Sequence, residues 1–249
     1  MPYKIAFWIF DCFSNLVLGT IRRLSIVSGP FNGMVYIHGA VGSSLLPKLL
    51  GTYELEIAKW FQELPHFQLG LDVGAAEGYY AVGLLNRNIC DKVVAWEMDP
   101  EGRRMLDNLA SANSVRNRLD IRGRCDVVEL EKAIATNETG DALVVIDCEG
   151  FEGELVPALP NGILRRCVLI IETHNPMNPG VHELLKRRLQ ATHEIVEVFP
   201  TTRSQNDLPR SLPGLLNVFR LPVFRRLAMS ERRCADLGWL LCRPKLQQD

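Results

Sequence analysis

Three observations predict an α/β fold, a mostly parallel sheet with helices on both faces. Apolar runs of strand length alternate along much of the chain with longer stretches of helical periodicity. Two of the runs, Leu143-Val144-Val145-Ile146 and Val168-Leu169-Ile170-Ile171, are uninterrupted and rich in branched residues, as strands buried on both faces are. A third run, Leu69-Gly70-Leu71-Asp72-Val73-Gly74, passes through a glycine turn into a helix-spaced segment holding Tyr80, Ala81, Leu84 and Leu85.

The elements follow in order. Residues 5–21, between Lys4 and Arg22-Arg23, are the most apolar stretch. Asp11 near their centre would cost on the order of 2.5–3.5 kcal/mol in a membrane span. Lys4, Asp11, Asn15 and Arg22 share one stripe of a helix. An amphipathic helix is therefore expected, rather than a span or a signal peptide. Its apolar face would dock on the domain or a second subunit, or make peripheral contact with a membrane. Residues 28–51 contain Gly29, Gly33, Gly39, Gly42 and Gly51 and read as loop, with a short strand at 34–38. A helix capped near Thr52, with Glu54 and Glu56 in its first turn, runs to about Leu64 and closes an N-terminal extension over 1–66.

The main domain is expected over 67–249. Its strands are predicted at 67–73, 92–97, 118–123, 141–147, 167–173 and 193–199, and its helices at 77–88, 100–112, 127–137, 152–164 and 180–191. Pro200, Pro209, Pro213 and Pro222, with many arginines, mark 200–236 as an inserted segment of loop and short helices. Gly238-Trp239-Leu240-Leu241-Cys242 reads as a closing strand.

At 249 residues, 47% apolar and 23% charged, the composition is that of a globular domain with an extension. The net charge of −1 divides unevenly: +3 over residues 1–50, −9 over 51–200 and +5 over 201–249. An acidic body argues against a nucleic-acid partner, which calls for a basic surface. The seven cysteines contain no C-x-x-C pair, so a disulfide or zinc framework is not expected and the cytoplasm is the simplest compartment.

A strand, glycine turn and helix bring a nucleotide-like ligand to the carboxyl edge of a parallel sheet. Gly74 and Gly78 are three residues apart, so the turn is neither a G-x-G-x-x-G fingerprint nor a phosphate loop. A turn that suits an adenosyl group without a pyrophosphate cradle suggests S-adenosylmethionine. Glu97 ends the next strand, where an acid can accept both ribose hydroxyls. The alternative, capping of the following helix, is better served by Asp99-Pro100. Met98 can lie along an adenine face. Asp126, after the third strand, either holds the adenine amino group or caps a helix.

The fourth strand ends Asp147-Cys148-Glu149-Gly150 and the fifth ends Glu172-Thr173-His174-Asn175, at the same edge of the sheet. Asp147, Glu149, Glu172 and His174 would thus surround one pocket. A histidine ending a buried strand beside acids is a candidate general base or acceptor-binding group. The same side chains suit a divalent metal, but the pattern also serves metal-free sites and no metal is expected. His38 and His66 lie in loops without evident partners, and His182 and His193 are expected at the surface. The doublets Arg165-Arg166, Arg225-Arg226 and Arg232-Arg233 read as solvated faces, the last two with a further option as acceptor surface.

Together, Leu71-Asp72-Val73-Gly74-Ala75-Ala76-Glu77-Gly78, Glu97, Ile146-Asp147-Cys148-Glu149-Gly150-Phe151-Glu152 and Ile171-Glu172-Thr173-His174 resemble the FkbM-type branch of the class I S-adenosylmethionine-dependent methyltransferases. The resemblance covers roughly 67–200, and D-x-E-G-x-E is its most specific part. It implies a Rossmann-like seven-stranded sheet of order 3-2-1-4-5-7-6. It also implies that Asp72, Gly74 and Gly78 shape the methionine end of the cofactor site, with Glu97 on the ribose and Asp147 and Glu149 near the reacting methyl. Cys148 departs from the valine more usual there. The implied activity is O-methylation of a hydroxyl on a sugar, glycan or polyketide-type acceptor, with His174 the first candidate base and Asp147 the second. Two other readings stand beside it. One is a non-catalytic cofactor-binding scaffold held to a membrane or biosynthetic complex. The other is a nicotinamide-dependent enzyme, which the missing G-x-G-x-x-G opposes.

Overall fold

The computed structural model describes residues 24–37, 39–137, 140–210, 212, 214–231 and 236–246. The amphipathic helix expected over 5–21, and with it any membrane contact, lies outside the described residues, as does His38. No helix among the described residues is long and apolar enough to cross a membrane.

The main sheet has seven strands: β3 (Phe67–Val73), β4 (Cys90–Trp96), β5 (Leu119–Arg122), β6 (Ala142–Ile146), β7 (Cys167–His174), β8 (His193–Val198) and β9 (Leu237–Pro244). Their order is β5-β4-β3-β6-β7-β9-β8. Counted from β3, this is the 3-2-1-4-5-7-6 order that the resemblance implies. Neighbours from β5 to β7 pair in parallel, and β9 lies antiparallel between β7 and β8. A separate hairpin pairs β1 (Leu24–Ser25) with β2 (Val35–Tyr36).

The uninterrupted apolar runs sit at the centre because both of their faces are covered. Along β6, Leu143 and Val145 enter one core, while Ala142, Val144 and Ile146 enter the other. Helices α3 (Tyr79–Asn86) and α4 (Pro100–Ala112), with the N-terminal extension, cover the first face. Helices α5 (Val127–Ala135), α6 (Glu152–Ala158) and α8 (Val181–Leu189) cover the second. Extension residues Phe31, Met34, Leu46 and Leu49 are buried in the same cluster as α3 and the first face of the sheet, so the extension and the sheet share one core. Gly83 makes this possible: a Cβ there would meet the Phe31 ring at 2.6 Å.

Three expectations need correction. The segment read as loop over 28–51 contains a buried helix, α1 (Leu45–Leu50). Pro47 is tolerated in its first turn, and Gly51, at φ +73°, stops it in the left-handed conformation. The next helix, α2 (Leu55–Glu63), begins later than Thr52, because Glu54 is itself left-handed at φ +47°. The single helix expected over 152–164 is two, α6 and α7 (Asn161–Leu164), since Pro160 holds Leu159 extended at ψ 137°. Beyond β8 the inserted segment holds 3₁₀ turns at Gln205–Asp207 and Gly214–Arg220 and the helix α9 (Pro222–Ala228).

His182 and His193 are not at the surface. His182 is buried between Thr173 Oγ1 (2.9 Å) and Glu197 Oε2 (2.8 Å), and His193 between Thr192 Oγ1 (2.8 Å) and the Cys167 carbonyl (3.0 Å). His182 lies in the first turn of α8 and His193 starts β8, and each ring has hydrogen-bonding partners on both nitrogens and needs no water. His66, which is exposed, lies 2.9 Å from the Asn88 carbonyl and 3.3 Å from Asp91. Five cysteines among the described residues carry free thiols: Cys90, Cys125, Cys148, Cys167 and Cys242.

Candidate functional site

The loops that leave the carboxyl ends of β3, β4, β5, β6 and β7 border one cavity of about 820 Å³. Gly74, Glu97, Met98, Asp147, Glu149, Glu172 and His174 all line it. Helix-and-loop residues of the extension, Val41 to Ser44, Lys48 and Tyr53, close another side.

The glycine turn is built from close contacts. The amides of Gly74 and Ala75 both donate to the Trp96 carbonyl, at 2.9 and 3.0 Å, and the Asp147 amide donates to the Val73 carbonyl at 2.9 Å. These bonds tie the ends of β3, β4 and β6 together. Gly74 has φ +88°, and a Cβ there would lie 1.8 Å from the Asp147 carbonyl oxygen. Gly78 has φ +99° and does not line the cavity; a Cβ there would strike Leu106 at 2.2 Å. Its place is explained by helix packing beneath the turn.

Glu97 spans two turns. Its Oε2 accepts from the Ala76 amide (2.8 Å) and its Oε1 from the Asp99 amide (2.7 Å). Gly102 leaves room for it, since a Cβ there would meet Glu97 Cγ at 2.9 Å. Met98, 68% exposed, stands at the rim as an apolar surface. Asp126 is outside the cavity. Its carboxylate accepts from the Glu129 amide at 2.8 Å and caps α5, while Gly123, Arg124 and Cys125 line the wall instead.

Asp72 lies under the turn, 1% exposed, and does not line the cavity. It accepts a backbone hydrogen bond from Ala81 in the first turn of α3, and its Oδ2 has no hydrogen-bond partner among the described residues. Burial, then the nearby Asp147, pushes its carboxyl up to about 8; the Ala81 amide opposes this and the Glu97 and Glu77 charges add to it. A folded-state pKa raised above the unfolded value means that stability is full below about pH 4 and is lost as pH rises toward 8. The loss is on the order of 5 kcal/mol at its upper bound. Asp72→Asn is therefore expected to raise the melting temperature of the ligand-free protein at pH 8 and to flatten its dependence between pH 5 and 8. Melting curves of both proteins across that range check this; an unchanged slope would remove Asp72 as its source.

The acid–histidine cluster is held from behind. Glu152, fully buried at the start of α6, accepts from the His174 amide at 2.8 Å and faces His174 Nδ1 at 3.2 Å. Its other oxygen accepts from the Gly150 amide at 2.8 Å. Burial alone would raise Glu152, but the His174 side-chain and amide hydrogen bonds outweigh it and hold the carboxyl below its usual range. His174 Nε2 then faces Asp147 Oδ1 at 3.4 Å, Glu172 Oε2 at 3.6 Å and Glu149 Oε2 at 3.7 Å. Burial pulls the imidazole pKa down; the Glu152 hydrogen bond and the Asp147, Glu152 and Glu149 charges overcome it, so the pKa is raised. Asp147, Glu149 and His174 bring ligand-capable atoms within 4.8 Å of one another. Glu149 sits at φ +54°, a strained conformation that aims its side chain outward, where it is 70% exposed.

The sequence reading brought Asp147, Glu149, Glu172 and His174 together correctly. It assigned no role to Glu152, whose signal was the last acid of D-x-E-G-x-E. It also passed over Ser44, Lys48 and Tyr79, and the lone lysine in Leu45-Leu46-Pro47-Lys48-Leu49-Leu50 was the visible cue.

No protein-family model matches the chain, and no curated protein matches it. Solved structures do. TrmK of M. capricolum in complex with S-adenosylhomocysteine is similar at 12% identity and a TM-score of 0.46, covering 76% of this chain and 68% of that one. An O-methyltransferase from Bacillus cereus, also in complex with S-adenosylhomocysteine, is similar at 14% identity and a TM-score of 0.42, covering 53% and 67%. The B. subtilis m1A22 tRNA methyltransferase TrmK shares 10% identity at a TM-score of 0.43, covering 73% and 61%.

Proposed function

We propose that this protein is an S-adenosylmethionine-dependent methyltransferase that methylates a hydroxyl oxygen on a sugar, glycan or polyketide-type acceptor. The observation that carries the reading is the single cavity shared by the Gly74 turn, Glu97 and the His174–Asp147–Glu149 cluster. The residues fit the cofactor: the Gly74 turn lines the cavity with backbone held by the Trp96 carbonyl, and Glu97 and Met98 offer a carboxylate and an apolar face at the nucleoside side. Glu97 would hold the ribose, Met98 the adenine, and Gly74 the approach of the amino-acid end. Asp72 and Gly78 act through the turn they support. When bound, the cofactor supplies a methyl group already activated by its sulfonium.

The chain's own work is positioning and proton removal. An aliphatic hydroxyl is a weak nucleophile, and a base within reach contributes about 10²–10⁴-fold. Glu152 facing Nδ1 favours the tautomer that leaves the Nε2 lone pair toward the cavity. His174 would take the hydroxyl proton there, and Asp147, Glu149 and Glu172 would stabilise the imidazolium formed. Asp147 is the second candidate for that proton. Among the described residues, Glu97, Asp147, Glu149, Glu172 and Glu231 outnumber Lys48 and Arg124 on the walls. That balance favours a neutral polyhydroxyl acceptor over a phosphate-rich nucleic acid.

Calorimetric titration with S-adenosylhomocysteine, and with NAD as control, tests the cofactor. Micromolar affinity for the first alone is expected, and Glu97→Ala is expected to lower it at least tenfold, since hydrogen bonds to a charged group contribute about 1.5–3 kcal/mol. NAD binding, or Glu97→Ala affinity equal to wild type, would count against the assignment. Turnover is also expected to survive dialysis against EDTA. Activity lost on chelation and restored by Mg²⁺ or Mn²⁺ would reassign Asp147, Glu149 and His174 as metal ligands.

A further inference from the structure

Lys48, on α1, is only 3% exposed yet lines the cavity. One of its three N–H donors goes to Glu77 Oε1. Among the described residues its ammonium makes no other hydrogen bond, and it lies 4.8 Å from the Tyr53 ring centroid and 5.2 Å from that of Tyr79. Ser44, one helical turn before Lys48, and Tyr79 are 2% and 4% exposed, line the same wall, and carry hydroxyls without a hydrogen-bond partner among the described residues. Buried donors are ordinarily satisfied, so three groups with unspent donors on one cavity wall call for an acceptor that comes from outside the fold.

Lys48 sets the charge of that acceptor, against the carboxylates of Glu54, Glu231 and Glu77 that also act on the Tyr79 hydroxyl. Glu77 accepts from the Tyr36 hydroxyl, the Val41 amide (2.9 Å) and Lys48, which fixes the ammonium in place. The other cation on the described walls, Arg124, stacks 5.6 Å over Phe151 beyond β5, on the side of Glu97 and Met98. Lys48 instead stands by Glu77, at the opposite end of the glycine turn. An adenosyl amino acid has one anionic group, its carboxylate, at the end remote from the nucleoside.

We propose that Ser44, Lys48 and Tyr79 form a carboxylate-binding subsite, contributed largely by the N-terminal extension, that takes the amino-acid carboxylate of the cofactor. This rests on the cofactor reading above and adds residues that the resemblance does not assign. The extension thereby completes the cofactor site, with Glu77 as the residue that positions its lysine.

The test compares S-adenosylhomocysteine with 5′-methylthioadenosine, which keeps the nucleoside and lacks the amino acid. Calorimetry is run on the whole chain and on Ser44→Ala, Tyr79→Phe and Lys48→Met. Lys48→Met is expected to weaken S-adenosylhomocysteine by at least about tenfold and the hydroxyl variants by about three- to tenfold, from the usual strengths of charged and neutral hydrogen bonds. Affinity for 5′-methylthioadenosine is expected to stay within about twofold. Because Lys48→Met strands a buried Glu77, the pair Lys48→Met/Glu77→Gln is measured beside it, with thermal melts of each variant. Parallel loss of both ligands would make the role structural and overturn the subsite. Unchanged S-adenosylhomocysteine affinity in folded variants would assign the donors to an acid group of the acceptor and overturn it likewise. Wild-type protein that binds neither ligand would overturn the cofactor reading itself, and this assignment with it.

Discussion

Gly74→Ala is expected to abolish measurable S-adenosylhomocysteine binding and to destabilise the protein. Two costs combine. The residue sits at φ +88°, where any L side chain is strained by about 1–2 kcal/mol. Its Cβ would also fall 1.8 Å from the Asp147 carbonyl oxygen, a backbone atom that cannot turn aside as a side chain could. Relief requires β3 and β6 to part at their carboxyl ends, and overpacking of that kind costs about 1–3 kcal/mol. The Gly74 and Ala75 amides would lose their shared acceptor at Trp96, and Glu97 its register with the Ala76 amide. A total of roughly 2–5 kcal/mol is expected in denaturant unfolding, with binding lost in calorimetry. Full affinity at wild-type stability would show that the turn is not the cofactor's seat.

His174→Ala is expected to lower kcat by about 10²–10⁴-fold while leaving S-adenosylhomocysteine affinity within a factor of about three. The split matters, because a ring that merely holds the fold would move both. Removing the imidazole takes one contact from Glu152, whose oxygens keep the backbone amides of residue 174 and Gly150, so a stability loss of about 1–3 kcal/mol is expected. Glu152→Gln cannot stand in for the lost contact, because its NH2 would face one of those two donating amides; thermal melts of His174→Ala therefore accompany the kinetics, and turnover lost by folded protein assigns the loss to the ring. The base must be unprotonated, and the carboxylates around His174 raise its pKa. In the wild type, kcat should therefore climb with pH through a midpoint above the ordinary histidine value and then level. In Asp147→Asn, with one of those charges gone, the midpoint should fall. A flat profile in the wild type, or a variant with unchanged kcat, would move the base elsewhere.

Much of this architecture is legible in the chain because its signals are local. The strand over 67–73 and the helix over 100–112 were read to the residue: an apolar run ended by Gly74 marks the first, and Asp99-Pro100 marks the start of the second. Where the reading missed, a local rule was outvoted. Five glycines over 28–51 suggested loop, yet α1 forms there because Leu45, Leu46, Leu49 and Leu50 have a core to enter. His182 and His193 are expected at the surface, and the fold satisfies both rings inside.

By itself the sequence determined the alternating α/β order, the glycine turn, and the acids and histidine that end the fourth and fifth strands of the main sheet. These are properties of neighbours in the chain, set by period and by backbone preference. Tertiary structure alone decided which of those residues act together. It aimed Glu152 at His174 across 22 residues and spent Asp126 on a helix cap. It also carried Lys48 to Glu77, 29 residues away, so that the extension walls the cavity. The reason is physical: a buried charge or hydroxyl must find its partner in space, and that partner has no fixed address in the sequence.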